Sequence, residues 1–402
     1  MKICLATKFY PPDTGGGGIA AYAKYAAMGL LQAGHQVQVI SMQSAGSKPF
    51  QVVDGIPVYR LPAPLRSYRW TKLPVVGRQV RFLRDWLYSI RIRNLLLRTK
   101  SVFKPSIVEY ADIDAEGLCN PRELCPYVVK LHTSHVILKN YYSKAEIPYS
   151  YRYIEAIEAR AIFRAQGVSS PSKYLADEIA QKLTIPRSQI QYVTNLIDTK
   201  SYAPSSQKKI NELKEILYVG RLEPRKGAVV FAEAIPTILK HRPDVHFTFA
   251  GSDRSDKNGI SQKKALDEYF TRNGCLDRIT FVGHADPEIY KELYQRADIF
   301  VMPSLFENSP YTLLEAMSCG CACVVHRSSG LTEMVQDGTS GVLFDNASPQ
   351  DLAENVIQLL ADPELRARLG KNARTRILEN YSLKVGTREV VNFYEAVIAR
   401  SK

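Results

Sequence analysis

The sequence predicts an α/β protein of two doubly wound domains that face each other across a cleft. Three observations predict it. Its 402 residues exceed one ordinary domain and suit two of roughly 200 residues each. Short runs of β-branched and aromatic residues alternate with helix-length stretches along nearly the whole chain, which is the βαβ pattern. A polar stretch, NLIDTKSYAPSSQKK from Asn195, interrupts that alternation once, near the middle.

Taken in order, KICLAT at the start reads as the first strand, Ile19–Ala33 has helical spacing, and QVQVISM after Gly34-His35 reads as the second strand. Further strands are predicted at 106–110, 126–131, 166–170 and 190–194. The second series runs ILYVG, a helix over 227–240, VHFTFAG, ITFVG, a helix over 286–296, IFVMPS, a helix over 310–319 and CACVVH, then helices over 349–361 and 383–400. The boundaries that follow are 1–198 for the first domain, 199–213 for a linker, 214–380 for the second domain and 381–402 for a C-terminal helix expected to pack back towards the first.

Composition narrows the class. With 45% hydrophobic and 23% charged residues the chain is ordinary globular protein. No apolar run approaches the ~20 residues that span a bilayer, and MKICLATKFYPP lacks a cleavable signal pattern, so a cytoplasmic protein is expected. Seven cysteines, an odd number, argue against a disulfide framework and fit a reducing compartment. Cys319, Cys321 and Cys323 alternate on the same face if 319–323 is strand, but no histidine or acid cluster joins them, and scattered His35, His241, His246, His284 and His326 have no paired metal spacing. No metal and no cofactor are expected. His135, three residues after His132, has no nearby acid in sequence and reads as structural.

In doubly wound sheets ligands bind beyond the carboxyl ends of the strands, and three loops there are unusual. PPDTGGGGI (11–19) removes side chains where a helix N-terminus offers free N–H groups, which suits a phosphate. Gly16-x-Gly18-x-x-Ala21 meets the relaxed dinucleotide fingerprint, but the turn is too long and no acid follows the next strand, so a dehydrogenase is not expected. A ligand-free lid is the competing reading. GRLEPRKG (220–227) sets Arg221 and Lys226 around a helix start, where two cations neutralise a diphosphate; ordinary solvated charges are the alternative. In PSLFENSPYTLLEAMSCG (303–320), Ser309 is placed to cap and Pro310 to begin a helix, so Glu307 precedes the helix and Glu315 lies within it. Carboxylates accept the adjacent hydroxyls of sugars; a dipole partner and an exposed helix residue are the plainer reading.

The three loops and their flanking text resemble the family-4 retaining glycosyltransferases of the GT-B class, also called glycosyl transferases group 1. The resemblance covers nearly the whole chain: PP-x-x-GGGGI, LHTS with His132, SSPSKYL, YVGRLEPRKG, FAGS, ITFVGHA, E-x7-E from Glu307 to Glu315, TEMVQDGTSGVLF and DPELRARLGKNAR. It implies two Rossmann-like domains and transfer of a hexosyl group from a nucleotide diphosphate sugar, UDP ahead of GDP or ADP, to a saccharide or lipid-linked saccharide. It also implies a metal-independent displacement on one face of the sugar, in which the departing phosphate takes the acceptor's proton. Gly17 and Gly18 would line the donor phosphates, His132 would contact the transferring sugar, Arg221 and Lys226 would hold the diphosphate, Glu307 the sugar and Glu315 the ribose. Gly283 would meet the base through its backbone, and Tyr311 and Thr312 complete the donor-binding set. Two departures stand out: Pro310 where the family usually has glycine, which removes one N–H, and Asn195-Leu196-Ile197-Asp198 where N-G-x-D is common. A non-catalytic scaffold of the same fold, or an epimerase or phosphorylase, is the alternative; the latter two would need other acids or another phosphate site.

The net charge of +13 is uneven. Residues 1–200 hold 27 Lys/Arg and 14 Asp/Glu, the remainder 26 of each, and residues 60–104 hold 12 basic residues against Asp85 alone. From Arg78 to Lys104 a helical wheel gathers Leu83, Trp86, Leu87, Ile90 and Leu97 on one side and Arg81, Arg84, Arg91 and Arg98 on another. Either this is a domain helix with its apolar side on the sheet, or a basic face for an anionic membrane or acceptor. Peripheral attachment to the cytoplasmic face of a membrane is therefore expected, and nucleic acid is not.

Overall fold

A computed structural model of the chain describes residues 1–12, 17–63, 76–121, 123–132, 134–138, 151–205, 213–255 and 259–401. It divides into two compact units, Met1–Leu196 together with Leu383–Lys402, and Ile197–Ser382.

The first unit is built on an eight-stranded sheet. Its strands are β1 (Lys2–Ala6), β2 (Gln36–Met42), β3 (Phe50–Val53), β4 (Ile56–Leu61), β5 (Ile107–Ala111), β6 (Tyr127–Lys130), β7 (Gly167–Ser170) and β8 (Ile190–Tyr192). Its helices are α1 (Gly18–Gln32), α2 (Val76–Thr99), α3 (His135–Leu138), α4 (Tyr151–Arg164) and α5 (Lys173–Leu183). The order is β3-β4-β2-β1-β5-β6-β7-β8. All neighbours are parallel except the β3–β4 hairpin. Sequence reading misses that hairpin, although Asp54-Gly55, both at positive φ, is a strong two-residue turn signal. Parallel strands are covered on both faces, which is why IVEYA and YVVK are buried throughout.

The C-terminal helix Leu383–Arg400 belongs to this unit. Glu389 on it accepts the Thr194 peptide N–H at 3.0 Å and the Thr194 hydroxyl at 2.7 Å.

Helix α2 presents Tyr88, Ile92 and Leu96 to the core, each 1% exposed or less, while Leu83 and Trp86 are 41% and 39% exposed. The apolar side expected to lie on the sheet if α2 were a plain domain helix is thus the outer one. Helical spacing marks stripes, but the partner surface chooses among them.

The second unit holds β9 (Lys214–Val219), β10 (Val245–Ala250), β11 (Ile279–Gly283), β12 (Ile299–Met302), β13 (Ala322–His326) and β14 (Val342–Phe344). Its helices are α6 (Ala228–His241), α7 (Gln262–Arg272), α8 (Pro287–Arg296), α9 (Tyr311–Ser318), α10 (Leu331–Met334), α11 (Pro349–Ala361) and α12 (Pro363–Asn380). The sheet is wholly parallel in the order β11-β10-β9-β12-β13-β14. Phe231, Phe247, Phe249 and Phe270 stack beside Tyr218 in its core, and each such ring buried contributes about 1.5–3 kcal/mol. Ser348 and Asp362 cap α11 and α12 by accepting from Asp351 and Leu365 N–H.

The three clustered cysteines do not share a strand. Cys319 caps the end of α9, Cys321 lies in the turn, and Cys323 alone is in β13. All three are buried and none forms a disulfide. Glycine at 320, with φ +79, ends the helix before a strand period can begin.

Candidate functional site

In the second unit β9 and β12 are adjacent although 79 residues of chain, 220–298, separate them, and the strand order reverses between them. At such a switch point the loops leaving two neighbouring strands diverge and expose their backbone ends. Here those loops are 220–227 and 303–310, and side chains cross from one to the other. The Lys226 ammonium donates to Glu307 Oε1. Arg225 donates to the Phe306 carbonyl at 2.9 Å and to Glu223 Oε1 at 2.9 Å, and lies 3.9 Å from Glu307 Oε1. Leu305 N–H donates to the Arg225 carbonyl at 2.9 Å. Arg221 also meets Glu223, at 3.1 Å, with its side chain 41% exposed.

Local backbone makes this crossing possible. Residues 224–226 form one 3-10 turn, and Gly227, at φ +72, turns the chain into α6. A Cβ at Gly227 would lie 2.0 Å from the Pro303 carbonyl oxygen, so only glycine lets the two loops touch. Glu307 is held at its backbone: Ser329 Oγ accepts its N–H at 2.9 Å and donates to its carbonyl at 2.6 Å, while Gly330 N–H donates to the same carbonyl at 2.9 Å.

Burial pushes the Glu307 carboxyl up, but the charges of Lys226 and Arg225 outweigh it and hold the group below its ordinary value, ionised. Burial, with Arg225 and Arg221 beside it, lowers Lys226, and Glu307 opposes that. Arg221, Arg225 and Lys226 exceed Glu223 and Glu307 by one positive charge, at the start of a 14-residue helix. An anion of charge −2 more than cancels that excess, and the positive end of the helix dipole takes up part of the remainder.

Glu315 is half-buried on α9, where the Tyr294 hydroxyl donates to its Oε2 at 2.9 Å. Burial lifts its carboxyl to about 7, against the hydroxyls of Tyr294 and Tyr202. Tyr311 is buried and Thr312 half-buried in the first turn of α9. The N-cap of α9 is Pro310, extended at ψ 134, rather than Ser309, and no side chain caps it. The expected Ser309 cap is therefore absent, because an extended Pro310 moves the helix start one residue on. Gly283 ends β11, and its carbonyl accepts Gly251 N–H at 2.7 Å.

In the first unit the order reverses between β1 and β5. Gly17 is the N-cap of α1 and Gly18 its first residue, both exposed. Asp13–Gly16, the rest of the glycine-rich loop, and with them the Gly16 of the fingerprint, lie outside the described residues, as do Thr133 and part of the basic segment, 64–75. His132 follows β6, half-buried, with its ring edge-on to Tyr22 at 5.1 Å. Burial, then the charge of Lys130, lower its pKa to about 3, so the imidazole is neutral. Its peptide N–H donates to Asp112 Oδ1 at 3.0 Å.

Several groups here escape sequence reading. Lys8, directly beyond β1, is 5% exposed and donates to Asp114 Oδ2 at 2.7 Å and to Asp85 Oδ1 at 3.0 Å. Arg60, 2% exposed, donates to the carbonyls of Tyr10 and Pro11 at 3.1 and 3.2 Å and so anchors the segment leading to the glycines. Glu158 accepts the N–H groups of Asp114 and His135 at 3.0 and 2.9 Å and meets His135 Nδ1 at 2.7 Å. His135 thus has the acid partner that its own neighbourhood in sequence lacks, supplied from α4. Lys8 lies in a loop and carries no periodic signal, whereas Arg60 alternates with Ile56 and Val58 on the buried face of β4, a signal that shows only once that strand is read. Asp114, His135 and Glu158 bring ligand-type atoms within 4.8 Å of one another, but the Lys8 ammonium already supplies the cation at Asp114 and His135 shares its proton with Glu158.

A cavity of about 350 Å³ in the second unit, lined by Tyr294, Cys319, Cys321, Lys371 and Arg374, opens at the amino ends of β12 and β13. The loops carrying Lys226 and Glu307 lie at the other end of the strands, where doubly wound sheets bind ligands. No described helix is long and apolar enough to cross a membrane.

Comparison with known proteins accords with this geometry. Residues 202–376 match the family described as Glycosyl transferases group 1, and residues 16–201 match Glycosyltransferase Family 4. An uncharacterized glycosyltransferase of Methanocaldococcus jannaschii is 27% identical over 98% of both chains. A D-inositol 3-phosphate glycosyltransferase of Paenarthrobacter aurescens is 26% identical over 89% of this chain and 88% of that one. Among solved structures, sucrose-phosphate synthase of Thermosynechococcus elongatus superposes with a TM-score of 0.80 at 19% identity over all of both chains. Anabaena HepE in complex with UDP-glucose gives 0.72 at 16% identity, over 98% of this chain and 99% of that one.

Proposed function

The chain belongs to the group 1, family 4 glycosyltransferases of the GT-B fold, and from that premise we propose that it moves a hexosyl group from a UDP-sugar to a saccharide or lipid-linked saccharide, with retention of anomeric configuration. The observation that carries this reading is the Lys226–Glu307 pair, with Arg221 and Arg225 around it, at the switch point of the second sheet. Solved structures of the same fold are described with UDP, UDP-glucose or ADP, which supports a nucleotide-sugar donor.

In this reading Lys226 and Arg221 take the diphosphate. As phosphate draws Lys226 away, Glu307 is released to accept hydroxyls of the transferring sugar. Glu315 accepts the ribose hydroxyls, the Gly283 backbone and the first turn of α9 with Tyr311 and Thr312 complete the donor contacts, and Gly17 and Gly18 keep the phosphate role that the family resemblance implies. His132, neutral, contacts the sugar as an uncharged hydrogen-bonding group. The bond from the anomeric carbon to phosphate oxygen breaks as the bond to the acceptor oxygen forms on the same face, and the departing phosphate takes the acceptor's proton. Arg221 and Lys226 neutralise the leaving charge, so no metal is assigned to the step. Of the two acceptor classes, a lipid-linked saccharide would be met at the cytoplasmic face of a membrane.

A thermal-shift series with UDP, GDP and ADP tests the donor assignment. At 100 times its dissociation constant a ligand adds about 2.7 kcal/mol of stability, and UDP is expected to give the largest shift. Absence of a shift with all three at millimolar concentration would overturn the donor site, and a product of inverted configuration, read by NMR, would overturn retention.

A further inference from the structure

We infer that the outer face of α2 docks on an anionic phospholipid bilayer; the inference locates the membrane contact that a lipid-linked acceptor requires, and rests on that reading. The face is a stripe at three- and four-residue spacing. Leu83, Leu87, Ile90 and Leu97 follow one another along it, interrupted by Asn94, with Trp86 beside them. Leu83 and Trp86 are exposed, and Leu87, Ile90 and Leu97 are half-buried. Arg91 and Arg98 border the stripe on one side and Arg93 on the other, so cations flank apolar surface on both edges.

The charge of this face is unopposed. Asp85, the sole acid between residues 60 and 104, is 2% exposed, and Lys8 and Arg84 share its Oδ1. It contributes nothing negative outside. Arg93, Arg98, Lys100 and Lys104 are exposed, and no described carboxylate forms an ion pair with them. Val102, 82% exposed, adds apolar surface between the two lysines. Not every cation of the segment serves: Arg60 is buried, and Arg91 donates to the Pro62 carbonyl at 2.6 Å.

The combination identifies the partner. A polyanion in water needs the arginines but gives no reason to expose Leu83 and Trp86. A protein partner explains the apolar stripe but not a single sign of charge on both its edges. A bilayer interface takes both: leucine and tryptophan enter the acyl boundary while arginines meet headgroup phosphates.

The test is co-sedimentation of the full chain with phosphatidylcholine vesicles made with and without phosphatidylglycerol. Binding is expected to the anionic vesicles and to fall with salt. In a Trp70→Phe background, Trp86 emission should shift to the blue on binding. Leu83→Asp with Trp86→Asp, both at exposed positions, should lower partitioning about tenfold or more. Arg93→Gln with Arg98→Gln should lower it about fivefold per cation. Equal binding to neutral vesicles, unaltered binding by both double variants, or binding to an acidic polysaccharide but not to vesicles would overturn the inference. The UDP thermal shift of the same proteins separates the two readings. If it persists while vesicle binding fails, docking is wrong and the transferase reading stands; if it is absent while vesicles bind, the reverse holds.

Discussion

Glu307→Gln and Lys226→Ala break the same ion pair from opposite sides, and their responses to UDP should differ in sign. The side chains are 11% and 19% exposed, and removing one member of a buried pair costs about 3–5 kcal/mol because the other charge stays behind. Glutamine preserves volume and one acceptor, so Glu307→Gln should sit near 3 kcal/mol, or about 6–12 °C for a unit of this size. The charges it strands are cations, Lys226 and Arg225, and a diphosphate replaces the missing anion. UDP should therefore bind this variant more tightly than the wild type, where Glu307 competes for Lys226, and should restore most of the lost melting temperature. Lys226→Ala instead strands a carboxylate, with Arg225 at 3.9 Å as its remaining neighbour. UDP brings more negative charge there and finds one cation fewer, so its shift should nearly vanish. Differential scanning fluorimetry with graded UDP reads both effects. Turnover should fall about 100-fold or more in Glu307→Gln despite tighter UDP binding, since a contact held in the transition state is worth ~2.7 kcal/mol or more. Equal UDP shifts in the two variants, or a smaller shift in Glu307→Gln than in wild type, would refute this electrostatic account.

Three further outcomes follow from the same geometry. Because the Glu315 carboxyl is lifted from 4.5 to about 7, the fold favours its protonated form; stability from this group is complete below pH 4.5 and is lost as pH rises through about 7, a change on the order of 3 kcal/mol. Glu315→Gln should remove that pH dependence in thermal melts, and wild-type affinity for UDP should improve across the same rise, as the carboxylate becomes available to ribose. Gly330→Ala places a Cβ 1.9 Å from the Asn308 carbonyl oxygen, so the loop bearing Glu307 must move; a loss of about 3 kcal/mol and a larger proportional loss of turnover are expected in parallel melts and assays. Arg60→Met leaves two carbonyls without their donor, costing about 1–3 kcal/mol for each that stays buried, and is expected to raise the donor KM by loosening the segment before Gly17.

Much of the fold is legible as text because its signals are local. Helices 349–361 and 383–400 carry apolar residues at a 3.6 spacing, and the structure places them at Pro349–Ala361 and Leu383–Arg400. The hairpin β3–β4 is missed, although Asp54-Gly55 announces it, because the reading looks for βα alternation there. The cysteine run is misread as strand since three alternating thiols look identical in a helix end, a turn and a strand. Of the site, Arg221, Lys226, Glu307 and Glu315 stand out through position beyond strands and through a family spacing. Arg225, which joins Glu223 to the Glu307 loop, stands beside them in the text and is passed over, because adjacent cations in a polar loop look alike until one is buried.

Residue pattern alone settles that this chain makes two βα series, since periodicity and caps need no partner to be read. It does not settle which loops become neighbours. Lys226 and Glu307 are 81 residues apart, and they meet because β9 and β12 are adjacent where the order of the sheet reverses. Nor does periodicity say which side of α2 faces inward. The wheel shows an apolar stripe through Leu83 and Trp86, yet the buried side carries Tyr88, Ile92 and Leu96, and Asp85 turns inward to Lys8. Burial free energy depends on the surface opposite, and that surface is assembled from strands distant in sequence.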